Sequence, residues 1–152
     1  MKLKDFDFRI WDKTKEEFLK KEPTLIKIDN ERVIAGRISR FYANTADITD
    51  MFIGNGNDLE IELWTGIYDK NGNKIYENDI LEYEPLEELY HITRDNTYKM
   101  FKIEIFSKNF NNKIYKRKAE PDISFLKVFK SEKNMKVIGN IHENADLLVV
   151  KE

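Results

Sequence analysis

The stretch from Trp64 to Tyr83 leaves the chain little freedom. A short run, Trp64 to Tyr68, meets the Asn71-Gly72 pair and returns as Lys74-Ile75-Tyr76. A second reversal, Glu77-Asn78-Asp79, leads straight into Ile80-Leu81-Glu82-Tyr83. Asn and Gly both tolerate positive φ, which twist-matching hairpin turns require. Gly66 stands where a bulge or close backbone approach is expected. Two tight reversals within twenty residues describe a compact β-meander. They specify an architecture and name no chemistry.

Short extended segments recur elsewhere. Phe6, Phe8 and Ile10 alternate along one face, the period-two mark of a half-buried strand, and Asp12 to Lys15 turns the chain so that Glu17-Phe18-Leu19 can pair back. Leu25 to Ile28 and Arg32 to Ala35 flank a third turn. The segment Ser39 to Met51 is expected to hold a short helix, and Gly54-Asn55-Gly56-Asn57 is the clearest linker. Beyond it, Leu59, Ile61 and Leu63 alternate, with Glu60 and Glu62 expected on a solvated side. Pro85 to Thr97 reads as a loop with one helical turn at Leu86 to Tyr90. Lys102 to Phe106, Ser124 to Phe129 and Lys136 to Ile141 read as strands, with a polar excursion over 107–122. Asn144 is placed to cap a last helical turn. The expected fold is therefore mainly β (α+β), with a β-rich part over 1–57 that includes a short helix. It packs against a small barrel over 58–152 that carries a basic insertion near 107–122. Closure is the physical remedy for the unpaired edges of so small a sheet.

Composition narrows the function classes. In 152 residues there is no cysteine, so disulfides, thiolate metal sites and cysteine nucleophiles are excluded. A formal charge of −2 argues against a dedicated nucleic-acid coat. No apolar run approaches the roughly 20 residues of a membrane span, and the first residues lack the apolar core of a signal peptide. The expectation is a soluble, cytoplasmic protein without membrane contact. His91 and His142 stand far apart without acids at metal-like spacing, no serine sits in a Gly-flanked elbow, and Gly54 to Asn57 lacks the lysine of a phosphate cradle. Pairs such as Glu77 with Asp79 and Glu82 with Glu84 are read as solvated strand faces, not as an acid–base couple. No enzyme, no cofactor and no metal are expected.

Two features keep a binding role open. From Glu77 to Asp95 there are seven acids against Arg94 alone, whereas Lys99 to Lys136 carries eleven bases against four acids. These stretches either form separate patches or pair within the fold. Within the second, Lys108, Phe110, Lys113, Tyr115, Lys116, Arg117 and Lys118 interleave cations with rings, a pattern that single-stranded nucleic acid uses for phosphate tracking and base stacking. Trp11 and Trp64 are candidate protein contacts on a small barrel. Exposed sheet edges could also pair between copies, so a homo-oligomer is a further expectation.

Three segments, in order, carry a resemblance: Phe8-Arg9-Ile10-Trp11-Asp12, Trp64 to Leu81, and Val137-Ile138-Gly139-Asn140-Ile141-His142-Glu143-Asn144-Ala145-Asp146-Leu147-Leu148. Together they resemble the YopX family of phage and prophage proteins. Trp64, Asn78, His142 and Ala145 stand where that family usually has Tyr, Gly, Tyr and Pro. The resemblance implies an SH3-like barrel in the C-terminal part and a phage or prophage origin. It implies no catalytic residues to carry over. The leading expectation is a phage accessory protein that contacts a host or phage protein, and the alternative is a nucleic-acid-binding module using 106–118.

Overall fold

The computed structural model describes residues 7–20, 24–29, 32–38, 52–53, 58–95 and 100–149. The chain is mainly β with short helical segments, an α+β architecture, and it divides into two compact units, Met1–Glu62 and Leu63–Glu152. Among the described residues no helix is long and apolar enough to cross a membrane. The helix expected over 39–51 and the linker at 54–57 lie outside the described residues.

In the first unit, β1 (Phe8–Asp12) and β2 (Glu17–Phe18) form the anticipated hairpin, in register Trp11 to Phe18 and Asp12 to Glu17. The buried Asp12 carboxylate closes the turn by accepting the backbone N–H groups of Thr14 and Lys15. Strands β3 (Thr24–Asp29) and β4 (Arg32–Ile38) form the second expected hairpin, and β5 (Phe52–Ile53) adds to β4. Ile10, Ala35 and Leu59 make the apolar cluster, with Phe8, Leu19 and Ile61 packed on it. Leu59 opens β6 (Leu59–Tyr68), whose residue Glu62 is fully buried instead of solvated. Its carboxylate accepts from Arg9 Nε at 3.0 Å, and that guanidinium also lies 4.4 Å from the Phe18 ring centre. A buried charge survives because it is paired and hydrogen-bonded.

In the second unit, β6 continues to Tyr68 and returns as β7 (Lys74–Tyr76). The register slips between Trp64 and Tyr68, where Gly66 has φ +86°, so the expected bulge is there. In the Asn71-Gly72 turn only Gly72 takes positive φ (+77°), and Asp69 supplies the rest of the turn. Its carboxylate accepts the N–H groups of Asn71 and Asn73. Asn78, at φ +70°, makes the second reversal.

The reversals feed β8 (Asp79–Tyr83), β9 (Glu88–Asp95), β10 (Met100–Lys108) and β11 (Ile114–Lys116), and β12 (Met135–Asn140) returns to pair with β8. The resulting antiparallel sheet, ordered β11-β10-β9-β8-β12, curls into a half-barrel, so the C-terminal part is barrel-like as expected, but among the described residues its sheet stays open at β11 and β12. One face carries Leu81, Tyr90, Ile92, Ile103 and Ile105, packed with Ile67, Ile75, Leu126 and Met135. The opposite face carries Ile80, Leu89 and Phe106, packed with Leu148.

Two sequence readings fail here. The segment 88–95, expected as loop and helical turn, is the central strand β9. Glu88 to Ile92 are all buried because the sheet is covered on both faces, so polar–apolar alternation is absent. A 3-10 turn, Glu84–Leu86, is the helical piece that does form, a few residues early. The segment 124–129, expected as a strand, is the helix α1 (Ser124–Val128). Asp122 accepts the N–H of Ser124, and Phe125 and Phe129 meet one helical turn apart with ring centres 4.4 Å from each other. A second helical turn, α2 (Ser131–Asn134), precedes β12. At the end, Ala145–Leu148 is the expected helical turn in 3-10 form, but the Asn144 side chain does not cap it. It accepts instead from the N–H of Asn140.

A hairpin tip beside an acidic cleft

The polar excursion over 107–122 contains a second ordered hairpin. β10 and β11 pair in register Phe106 to Lys116, Ser107 to Tyr115 and Lys108 to Ile114. The connecting turn uses the hydrogen-bond frame of the Asp69 turn, with Asn109 in the role of Asp69. Asn109 N–H donates to Lys113 O, Asn112 N–H donates to Asn109 O, and Asn109 Oδ1 accepts from Asn111 and Lys113. Asn112, at φ +58°, takes the place of Gly72. Side chains that cap their own turn hold it in one shape, so Phe110 at the tip is displayed on a fixed scaffold. Its ring is entirely exposed, at 106% of the reference value.

The candidate nucleic-acid contacts separate into two groups. Lys108, Phe110, Lys113, Tyr115 and Lys118 are exposed. Lys116 and Arg117 are exposed in part but engaged. Lys116 binds the carboxylates of Glu104 and of Glu120, the latter at 3.1 Å. Arg117 Nη1 donates to Glu88 Oε1 at 3.1 Å. Lys102 likewise meets Asp95 at 2.8 Å. Arg117 with Glu88 and Lys102 with Asp95 thus join the basic stretch to the acidic one, whereas Lys116 is balanced by acids of its own stretch.

Behind these pairs sit two buried polar groups. His91 Nδ1 lies 2.8 Å from Glu104 Oε1. Burial works against ionisation of Glu104, but Lys116 and His91 outweigh it and hold its carboxyl below the ordinary range. Tyr90 donates its hydroxyl to Glu88 at 2.8 Å. Burial, followed by that hydrogen bond to a carboxylate, pushes its phenol well above the ordinary value. Spacing does not mark His91, which meets Glu104 only across strands, and Glu88 meets Tyr90 two residues along β9 but Arg117 only through the sheet.

Beside the hairpin lies a cleft of about 330 Å³, lined by Glu82, Glu84, Glu87, Glu88, Leu89, Lys108 and Asn112. Glu82 and Glu84, expected on a solvated face, do line this open surface. Glu77 and Asp79, expected in the same setting, are buried: Asp79 accepts from the N–H of Tyr76 at 2.8 Å, and Glu77 lies 3.6 Å from Arg94 Nε. Among the described residues, no group of three or more His, Asp and Glu side chains could hold a metal ion.

The tryptophans lie apart from the hairpin in their bonding. Trp11 is buried and meets Phe18 edge-to-face at 4.8 Å. Trp64 is half-buried, donates Nε1–H to Ile67 O at 3.2 Å, and carries the Lys74 ammonium 4.8 Å from its ring centre. Both rings serve local packing, and Trp64 retains some accessible surface.

Among solved structures, the chain is similar to that of protein EF1440 from Enterococcus faecalis, at 21% identity over 95% of this chain and 98% of that one, with a TM-score of 0.44. No curated protein matches the chain. The family model described as YopX protein matches residues 7–149, nearly the full length, and the chain therefore belongs to the YopX family.

Proposed function

We propose that this chain is a phage or prophage accessory protein that works in the host cytoplasm by protein contact, without chemistry of its own, through the β10–β11 hairpin. The observation that carries this reading is the fully exposed Phe110 ring on a turn held by four hydrogen bonds. An apolar ring in water contributes nothing to folding, whereas a rigid one loses little entropy when a partner covers it. Nucleic acid is the weaker reading. Lys116 and Arg117 are committed to carboxylates, and the carboxylates lining the neighbouring cleft repel phosphate.

The test is photo-crosslinking in host lysate from a benzophenone side chain placed at position 113, in wild-type and Phe110→Ser backgrounds. The expected result is one protein recovered reproducibly from the first and reduced about tenfold or more in the second. Failure to recover any protein reproducibly overturns the reading. Salt-dependent binding to single-stranded oligonucleotides, lost on replacing Lys108, Lys113 and Lys118, would favour nucleic acid instead.

A further inference from the structure

We infer that the hairpin tip and the cleft beside it are complementary halves of one self-association surface, whose occupant is a second copy of this chain. This rests only on the hairpin's being a contact surface, as proposed above, and gives that surface an occupant distinct from a host protein.

An acidic rim alone would be ordinary solvated surface. Here it borders an independent feature, the Phe110 ring, which is fully exposed two residues before Asn112, itself part of the cleft lining. The two features also differ in charge. Glu88 is matched by Arg117, but among the described residues no ion pair engages Glu82, Glu84 or Glu87, and the lining supplies Lys108 alone against them. The tip carries Lys113 three residues after its apolar ring, and no acid. Leu89 lies in the cleft wall, and about 330 Å³ accommodates an aromatic side chain.

A knob and a complementary hole side by side on one surface satisfy the condition for a closed dimer. Under a two-fold axis each tip enters the other copy's cleft, the same residues meet twice, and no unmatched end remains to propagate. The paired insertion desolvates both Phe110 rings and sets each Lys113 against Glu84 and Glu87. A contact of this size belongs to the weak, transient class, so association is expected to depend on concentration and salt.

Sedimentation of the full chain over an about hundredfold concentration range tests this directly. The expected result is a shift from the mass of one chain to that of two, reversed by high salt and abolished by Phe110→Ser. Glu87→Lys and Lys113→Glu should each remain monomeric alone and form a heterodimer when mixed, because the mixture restores opposite charges at both contacts. All three positions are exposed, and circular dichroism checks that the variants fold. A wild type that stays monomeric throughout, or a dimer indifferent to Phe110→Ser, overturns the inference. If the wild type is monomeric while Phe110→Ser still loses a host protein in the crosslinking experiment, the proposed function stands and self-association falls. Dimerisation by these rules with no host protein captured leaves self-association standing and overturns the host-contact reading.

Discussion

The carboxylate of Asp69 accepts the backbone N–H of Val137 at 2.9 Å, across 68 residues of chain. With its other oxygen it organises the Asn71-Gly72 turn. One side chain therefore shapes the first hairpin of the second unit and fastens that hairpin to its last strand. Lys70 N–H to Met135 O at 2.8 Å and Ser131 Oγ–H to Tyr68 O at 3.1 Å reinforce the same junction. Replacing Asp69 with Ala leaves several backbone donors without an acceptor, at about 1.5–3 kcal/mol for a bond to a charged group. We expect a loss of about 3 kcal/mol or more, read as a lower urea midpoint.

The same group supplies a pH dependence. Burial opposes the charge on Asp69, but the N–H groups of Val137, Asn73 and Asn71 outweigh it, so its folded pKa lies below the 3.8 of an ordinary aspartate. A depressed carboxylate stabilises the fold fully above its unfolded pKa, and that stabilisation fades as pH falls from there through the folded value. The advantage of the wild type over Asp69→Asn should be constant near neutrality and shrink below about pH 4. Urea titrations of both proteins at pH 7 and pH 3 check this; an undiminished gap at pH 3 contradicts it.

Arg9 and Glu62 make the corresponding prediction for the first unit. Glu62 is fully buried, so Arg9→Met strands much of its charge, at a cost of about 3–5 kcal/mol. Hydrogen exchange in β1 should accelerate, while exchange in β9 and β10 stays near its wild-type rate.

Gly139 lies against Asn144. A methyl group at position 139 would collide with the Asn144 side chain, including the Oδ1 that accepts from Asn140 N–H. Gly139→Ala should lower stability by about 1–3 kcal/mol. Adding Asn144→Gly should recover part of the loss, a sign that thermal melts of the two variants would show.

Tyr90 should remain protonated when exposed tyrosines ionise, since burial and its bond to Glu88 both raise its pKa. A raised folded pKa gives stability that is complete below the unfolded value and lost as pH climbs beyond it. Absorbance near 295 nm should therefore show a late tyrosine step, together with loss of fold, that Tyr90→Phe removes.

Much of the fold is legible in the chain because its signals are local. Gly66 and Asn78 announce backbone that other residues adopt at a cost, and the Asn71-Gly72 turn and the alternation in β1 involve only near neighbours. Glu88 and His91 look like loop residues until the sheet brings Arg117 and Glu104 beside them. Ser124 to Phe129 looks like a strand although its helical contacts are local, with Asp122 accepting the N–H of Ser124 and Phe125 and Phe129 packed one turn apart. The hairpin over 107–116 stands out by its charges and rings, and the acids of 82–88 are equally visible, yet the cleft between them is not, because only the sheet brings residues 82–89 beside Lys108 and Asn112.

The order of residues alone determined where the chain reverses, which segments are extended near those reversals and to which family the chain belongs. Those properties depend on dihedral preferences and on side chains within a few positions of one another. Which charges cancel, which carboxylates are buried and which ring is left in water were decided only by tertiary structure. Strand pairing brings together groups tens of residues apart, and an ion pair or a buried carboxylate has no energy until its partner arrives.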